Sequence, residues 1–158
     1  AIWTGWVAVT HTLGYALRTT DPARAYALSP WDGRVAAQLA QSLSGPGASP
    51  ADRARADRLA REALARDPTA VAAVSTLGVN AQVRGDAVGA KRLFAYAQRL
   101  SRRDLQAQLW AIEDAVGRGD IPGALRHYDI ALRTSRSAPD LLFPILASAA
   151  AEPLIRAA

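Results

Sequence analysis

Residues 85–97 read GDAVGAKRLFAYA, and 34 positions later residues 119–131 read GDIPGALRHYDIA. Gly85-Asp86 recurs as Gly119-Asp120, Ala90 as Ala124, Phe94 as Tyr128 and Ala97 as Ala131. The same offset taken backwards reaches Ala56, Ala60 and Ala63, and from Arg102 it reaches Pro68. A fixed period of this length marks stacked copies of one supersecondary unit, and it outweighs local propensity. Within each copy the apolar residues fall at steps of three and four, the spacing of one helix face. Glycine followed by aspartate reads as the left-handed end of one helix and the cap of the next. The unit is a helix–turn–helix.

The rest of the chain follows from that frame. Ser49-Pro50-Ala51-Asp52 supplies a cap serine, a first-turn proline and an acid three residues on. The helix it opens carries Ala56, Leu59, Ala60, Ala63 and Leu64 on one stripe, and Asp67-Pro68 stops it. A second helix is expected from Thr69 to Arg84, ending at Gly85. A third, capped by Asp86, turns Ala90, Leu93, Phe94, Ala97 and Leu100 inward. A fourth starts near Asp104 and ends around Gly117 to Gly119. Asp120 caps a fifth, with Ala124, Leu125, Tyr128, Ala131 and Leu132 as its stripe. After Pro139 a further helix (DLLFPILASAA) is expected to be bent or broken by Pro144. No run alternates long enough for a strand, so the chain reads as all-α.

Composition agrees and narrows the chemistry. The chain has 158 residues, half of them hydrophobic, with 36 alanines but only four Trp, four Tyr and two Phe. The core is therefore shallow and built on close backbone approach, and alanine favours helix over strand. Cysteine is absent, which removes disulfides, thiolate metal sites and cysteine nucleophiles. His11 and His127 are too few and too far apart in sequence for most histidine-based zinc or triad chemistry. The net charge is +5, and eighteen of nineteen cations are arginine, with Lys91 the only lysine. With the alanine excess, that bias reads as a GC-rich bacterial genome. The arginines alternate with acids from Asp52 to Asp67, the pattern of a solvated, salt-bridged helix face.

At these residues the chain resembles the tetratricopeptide repeat (TPR) family, in particular a membrane-anchored bacterial member. Thr76-Leu77-Gly78 matches the Leu-Gly pair of the family's first helix, and Gly85-Asp86 matches its turn. Ala90, Phe94 and Ala97 match the packing triad of its second helix, and residues 63–68 (ALARDP) match its ending, echoed by AYALSP at 25–30. The resemblance covers roughly residues 21–150. It implies a domain over 21–158 with a degenerate repeat at about 31–68, repeats at 69–102 and 103–136, and a partial one at 137–158. Residues 22–29 would be the second helix of a truncated earlier repeat. Four departures stand out. Val74 and Gln108 replace the usual first-helix aromatic, Ile112 replaces a small residue, and about four extra residues enlarge the turn between Ser44 and Ser49. The family's clamp for C-terminal carboxylates is absent, since Ala72, Ser75, Thr76 and Val79 occupy its places.

Residues 1–17 (AIWTGWVAVTHTLGYAL) carry no fixed charge before Arg18. As a helix they would span about 25 Å, a little short of the roughly 30 Å hydrocarbon core of a bilayer. Trp3, Trp6 and Tyr15 suit a membrane interface, and His11 within this apolar run is a candidate pigment or haem ligand. Two readings stay open for residues 1–18: a transmembrane anchor continuing from an earlier segment, or a helix capping the repeats. The anchor reading places the protein in a bacterial inner membrane as a single-span protein with a periplasmic repeat domain. The other reading makes it soluble.

Function follows from the groove that stacked repeats leave. In the family, first helices line it, which implies an inner face of Gln38, Gln41, Ala72, Ser75, Thr76, Val79, Gln82, Gln106, Leu109, Trp110 and Glu113. That surface is neutral and amide-rich with one large aromatic, suited to an extended or helical segment of a partner protein. Val79, Gln82, Gln106, Leu109, Trp110 and Glu113 are the candidate partner-binding residues, although Trp110 also fits simple packing between helices. His127 reads as an exposed helical residue, and Arg99, Arg102 and Arg103 as complements to a helix dipole. No dinucleotide, Walker, zincin or nucleophile-elbow motif is present, so no enzyme activity and no cofactor are expected. Nucleic acid is not an expected partner. The expected function is a scaffold or adaptor; the alternative is an accessory subunit of a larger membrane complex, packed through its N-terminal helix.

Overall fold

A computed structural model describes residues 12–151, with side-chain packing described over residues 12–148. Every regular element among the described residues is a helix. Residues 12–17 are helical, and eight helices follow: α1 (Pro22–Leu28), α2 (Gly33–Ser42), α3 (Pro50–Arg66), α4 (Val71–Val83), α5 (Ala87–Leu100), α6 (Leu105–Gly117), α7 (Ile121–Thr134) and α8 (Ala138–Ala151). The chain forms two compact units, Ala1–Leu100 and Ser101–Ala158.

Side-chain caps set the helix starts. Asp32 accepts from the N–H groups of Arg34 and Val35, Ser49 from that of Asp52, and Asp104 from that of Ala107. Each satisfies a first-turn donor that has no partner inside its own helix. The Ser49 hydroxyl in turn donates to the Asp52 carboxylate at 2.7 Å. Helix α4 starts two residues later than expected. The Asp67 carboxylate accepts both the N–H and the hydroxyl of Thr69 (2.9 and 2.6 Å), and this local turn holds residues 67–69 out of the helix.

The 34-residue period is reproduced in backbone detail inside each unit. Gly85 and Gly119 have φ of +80° and +72°, the left-handed conformation that glycine adopts without a Cβ penalty. After them, the N–H of Asp86 bonds the Ala81 carbonyl and that of Asp120 bonds the Ala115 carbonyl, both at 2.9 Å. The Asp86 side chain then caps α5 at Gly89 (2.8 Å), and Asp120 caps α7 at Gly123 (2.9 Å). Alanine at Gly85 or Gly119 is expected to cost about 1 kcal/mol each, read as a lower midpoint in thermal or urea unfolding. Alanine at the nearby Gly117, which meets no atom and has no positive φ, is the control.

In the first unit α4 packs against both α2 and α3, and α5 packs on α4. The core is alanine-rich: Ala36, Ala37, Ala40, Ala56, Ala60, Ala63 and Ala73 surround Leu39 and Leu59. In the second unit α6 pairs with α7, and α8 packs on α7 around Ile112, Ala131, Ala138 and Leu142. α8 runs through Pro144 without interruption, so of the expected bend or break the break is absent. Pro144 and Asp140 are both exposed, so the carbonyl that loses its helical partner there is open to water.

The stretch from Asp52 to Asp67 also departs from the expected solvated face at one residue. Asp57 is buried, held by the Asn80 amide and the Arg84 guanidinium, each at 2.7 Å. No described helix is long and apolar enough to cross a membrane. Trp3, Trp6 and His11, the core of the expected membrane segment, lie outside the described residues; Tyr15, its last aromatic, is described and takes part in the first unit.

Candidate functional site

In the first unit, the side formed by α2 and α4 bears a cleft of about 280 Å³. Gln38 of α2 lies on it, as the first-helix reading expects, with Ala72 of α4 opposite. Its rim is not neutral, however. Arg18 and Arg34 both line it, and so does Tyr15. Arg18 lies over the Tyr15 ring at 3.6 Å to the centroid, a cation–π pair, and also donates to the Tyr15 carbonyl. Arg34 donates through Nε to Asp67 Oδ2 at 3.1 Å. Hydrogen bonds from the Thr69 side chain, then from Arg34, hold the Asp67 carboxyl below its ordinary range. Tyr15 therefore belongs, in its described surroundings, to a polar cleft edge; the sequence reading grouped it with the apolar run because the run ends only two residues later.

Further along α4 the expected inner face divides. Val79 is half-buried and Gln82 is exposed, so both stay reachable by a partner. Ser75 and Thr76 are fully buried and Ala72 nearly so, which removes Ser75 and Thr76 from any groove. The Thr76 hydroxyl turns back to the Ala72 carbonyl at 2.7 Å. The reason is packing: α4 is flanked by α2, α3 and α5, and its small side chains let all three approach. Gly78 marks a close approach of α5, since a Cβ there would lie 3.0 Å from the Phe94 ring.

In the second unit the four expected α6 residues sit at steps of three and four, on one stripe. Gln106, Leu109 and Trp110 are half-buried and Glu113 is exposed. Leu109 also packs against the cluster around Ile112, with Tyr128 and Leu132, so part of its surface serves the unit's own core. Trp110 is half-buried, with part of its surface open to solvent and part packed.

One polar feature of α6 has no counterpart in the expected pattern. Gln108 is fully buried. Its Nε2 donates to the Arg102 carbonyl at 3.1 Å, so its Oε1 is the atom facing His127 Nδ1 at 2.8 Å. Nδ1 must therefore carry the proton, fixing the neutral tautomer. His127 is half-buried and bonded across the helix pair, which corrects the reading of an exposed residue. The only signal in the sequence was a polar residue at a position the period marks as core.

Burial, and then the charge of Arg126, hold the His127 pKa below its ordinary 6.5, against an opposite pull from Asp120. Because the folded-state value is depressed, the stability it contributes is present in full above 6.5. It is lost as pH falls through the folded-state value, where the unfolded chain has already taken up its proton. The unfolding midpoint is therefore expected to fall between about pH 7 and about pH 5, with a visibly flatter profile in His127→Gln. Parallel profiles for the two proteins would contradict this.

Among the described residues no group of three His, Asp or Glu side chains lies close enough to hold a metal ion. A scan against protein-family models finds no match to this chain, and a search of curated proteins finds no similar one.

Proposed function

We propose that this chain is a protein–protein interaction scaffold of the tetratricopeptide kind, holding a segment of a partner on the faces of its first helices. The observation that carries the reading is the exact recurrence, 34 residues apart, of the left-handed glycine and aspartate cap between paired helices. Units of this sort exist to stack, and stacking leaves a surface built from one helix of each pair. The accessible first-helix residues are Val79 and Gln82 on α4 in the first unit and, in the second unit, Gln106, Leu109, Trp110 and Glu113 on α6. Trp110 would anchor the partner, with amides and Glu113 fixing its direction. Arg18 and Arg34 on the first-unit cleft add a preference for acidic side chains.

The uncharged run of residues 1–17 supports a tether to a bacterial inner membrane, and with it a second reading, an accessory subunit of a membrane complex. The two readings differ in stoichiometry. Extraction of the tagged native protein from membranes in mild detergent tests them. A partner recovered at equal stoichiometry and lost in Trp110→Ala supports the scaffold; a fixed set of integral proteins retained by Trp110→Ala supports the subunit. Recovery wholly in the soluble fraction, with no partner, contradicts both.

A further inference from the structure

A second cleft in the first unit, of about 640 Å³, lies between α3 and the end of α4. Arg53, Asp57 and Arg61 line it from α3, at the four-residue spacing that puts them on one helix face, and Arg84 faces them from the α4 end. Asp57 is the only carboxylate lining it. Its Oδ1 accepts from Asn80 Nδ2 at 2.7 Å, and its Oδ2 accepts from Arg84 Nη1 at 2.7 Å and lies 3.6 Å from Arg61 Nη2. Two guanidinium groups, those of Arg61 and Arg84, therefore share one carboxylate. Asp52, the next acid along α3, is engaged by the Ser49 hydroxyl, and Asp86 is engaged as the α5 cap.

The three arginines do different work. Arg53 is structural: Nη1 donates to the Asn80 side-chain oxygen and the Ser44 carbonyl, and Nη2 to the Gly45 carbonyl. Those bonds pin the enlarged turn whose Ala48 forms one edge of the cleft. Arg61 and Arg84 keep most of their donors for solvent, with side chains 64% and 52% exposed. A guanidinium offers five N–H donors in a planar fork that matches a carboxylate. Beside them the wall is apolar: Ala48, Pro50, Ala54 and Val83, the last 59% exposed.

Repeat stacking does not require this arrangement. At the positions 34 residues on from Arg53, Asp57 and Arg61 stand Ala87, Lys91 and Ala95, and no extra turn residues occur there. The charged cluster and the enlarged turn occur together in one copy only.

We propose that this cleft binds an acidic peptide segment of a partner protein, with a carboxylate bridging Arg61 and Arg84 and an adjacent apolar side chain on Val83 and Ala54. The apolar wall favours a peptide over a bare phosphate, which would gain nothing from it. The site is separate in its residues from the α2–α4 cleft and from the α6 stripe, so it can fail without touching the scaffold reading.

The probe is a labelled octapeptide alternating glutamate and leucine, blocked at both ends, titrated against the full chain at low salt by fluorescence anisotropy. Saturable binding is expected, weakened about tenfold or more by Arg61→Gln and unchanged by Arg92→Gln on the exposed face of α5. Arg61 is the informative variant because Asp57 keeps Asn80 and Arg84 without it, so the fold stands; circular dichroism checks this. The same peptide with glutamine for glutamate is expected not to bind. No binding to the wild type, an Arg61→Gln protein that binds as well as the wild type, or equal binding of the glutamine peptide would overturn the proposal. Displacement by millimolar inorganic phosphate together with no loss in Val83→Ser would also overturn it, leaving a plain anion site.

Discussion

Phe94→Ala is expected to destabilise the first unit by about 3–5 kcal/mol, the range for truncating a fully buried aromatic. Phe94 is 1% exposed, and its ring lies directly against the backbone of α4 at Gly78. The counterpart at the 34-residue offset behaves differently. Tyr128 is half-buried, and Ile112 stands where Gly78 stands, filling the room that the ring takes in the first unit. Tyr128→Ala should therefore cost clearly less, about 1–2 kcal/mol. Urea unfolding followed by circular dichroism reads both; equal losses for the two variants would mean the two helix pairs are packed alike after all.

Asp57→Ala should be the next most damaging change, at about 2–3 kcal/mol. Removing the carboxylate leaves the buried Asn80 amide short of its 2.7 Å acceptor and leaves Arg61 and Arg84 without the counter-charge they share. Asp57→Asn keeps an acceptor and the side-chain shape, so it is expected to recover about half of the loss. Most of the effect comes from hydrogen bonds to buried groups, which salt screens poorly. The deficit should therefore persist in urea titrations run at 1 M sodium chloride. A loss that vanishes at high salt would mean that surface repulsion alone had been measured.

The helix pairs were readable because their signals are local and strong. Gly85-Asp86 and Gly119-Asp120 combine a residue suited to positive φ with a cap, and both took the expected geometry. Faces were harder to read. In α4 the run Ala72, Ala73, Val74, Ser75, Thr76 has small residues on every side, so periodicity does not say which side meets a neighbour. The sequence pattern alone puts Ser75 and Thr76 on the groove, and packing buries them. Charge misled in the same way at Asp57, one acid among many on a helix rich in arginine; its partners Asn80 and Arg84 lie more than twenty residues away. Arg34 reaches Asp67 across a similar gap. Contacts at such range leave no mark in the spacing of one helix.

Whether a partner protein lies along the first helices is read by site-specific photo-cross-linking in native cells. A photoreactive residue is placed in turn at Gln82 on α4 and Glu113 on α6, and for comparison at Arg92 on α5 and Arg126 on α7, all four exposed. Gln82 and Glu113 are both expected to cross-link to one and the same protein, and Arg92 and Arg126 are not. Cross-links to that protein from the α5 and α7 positions alone, or no cross-link from Gln82 and Glu113, would contradict this placement.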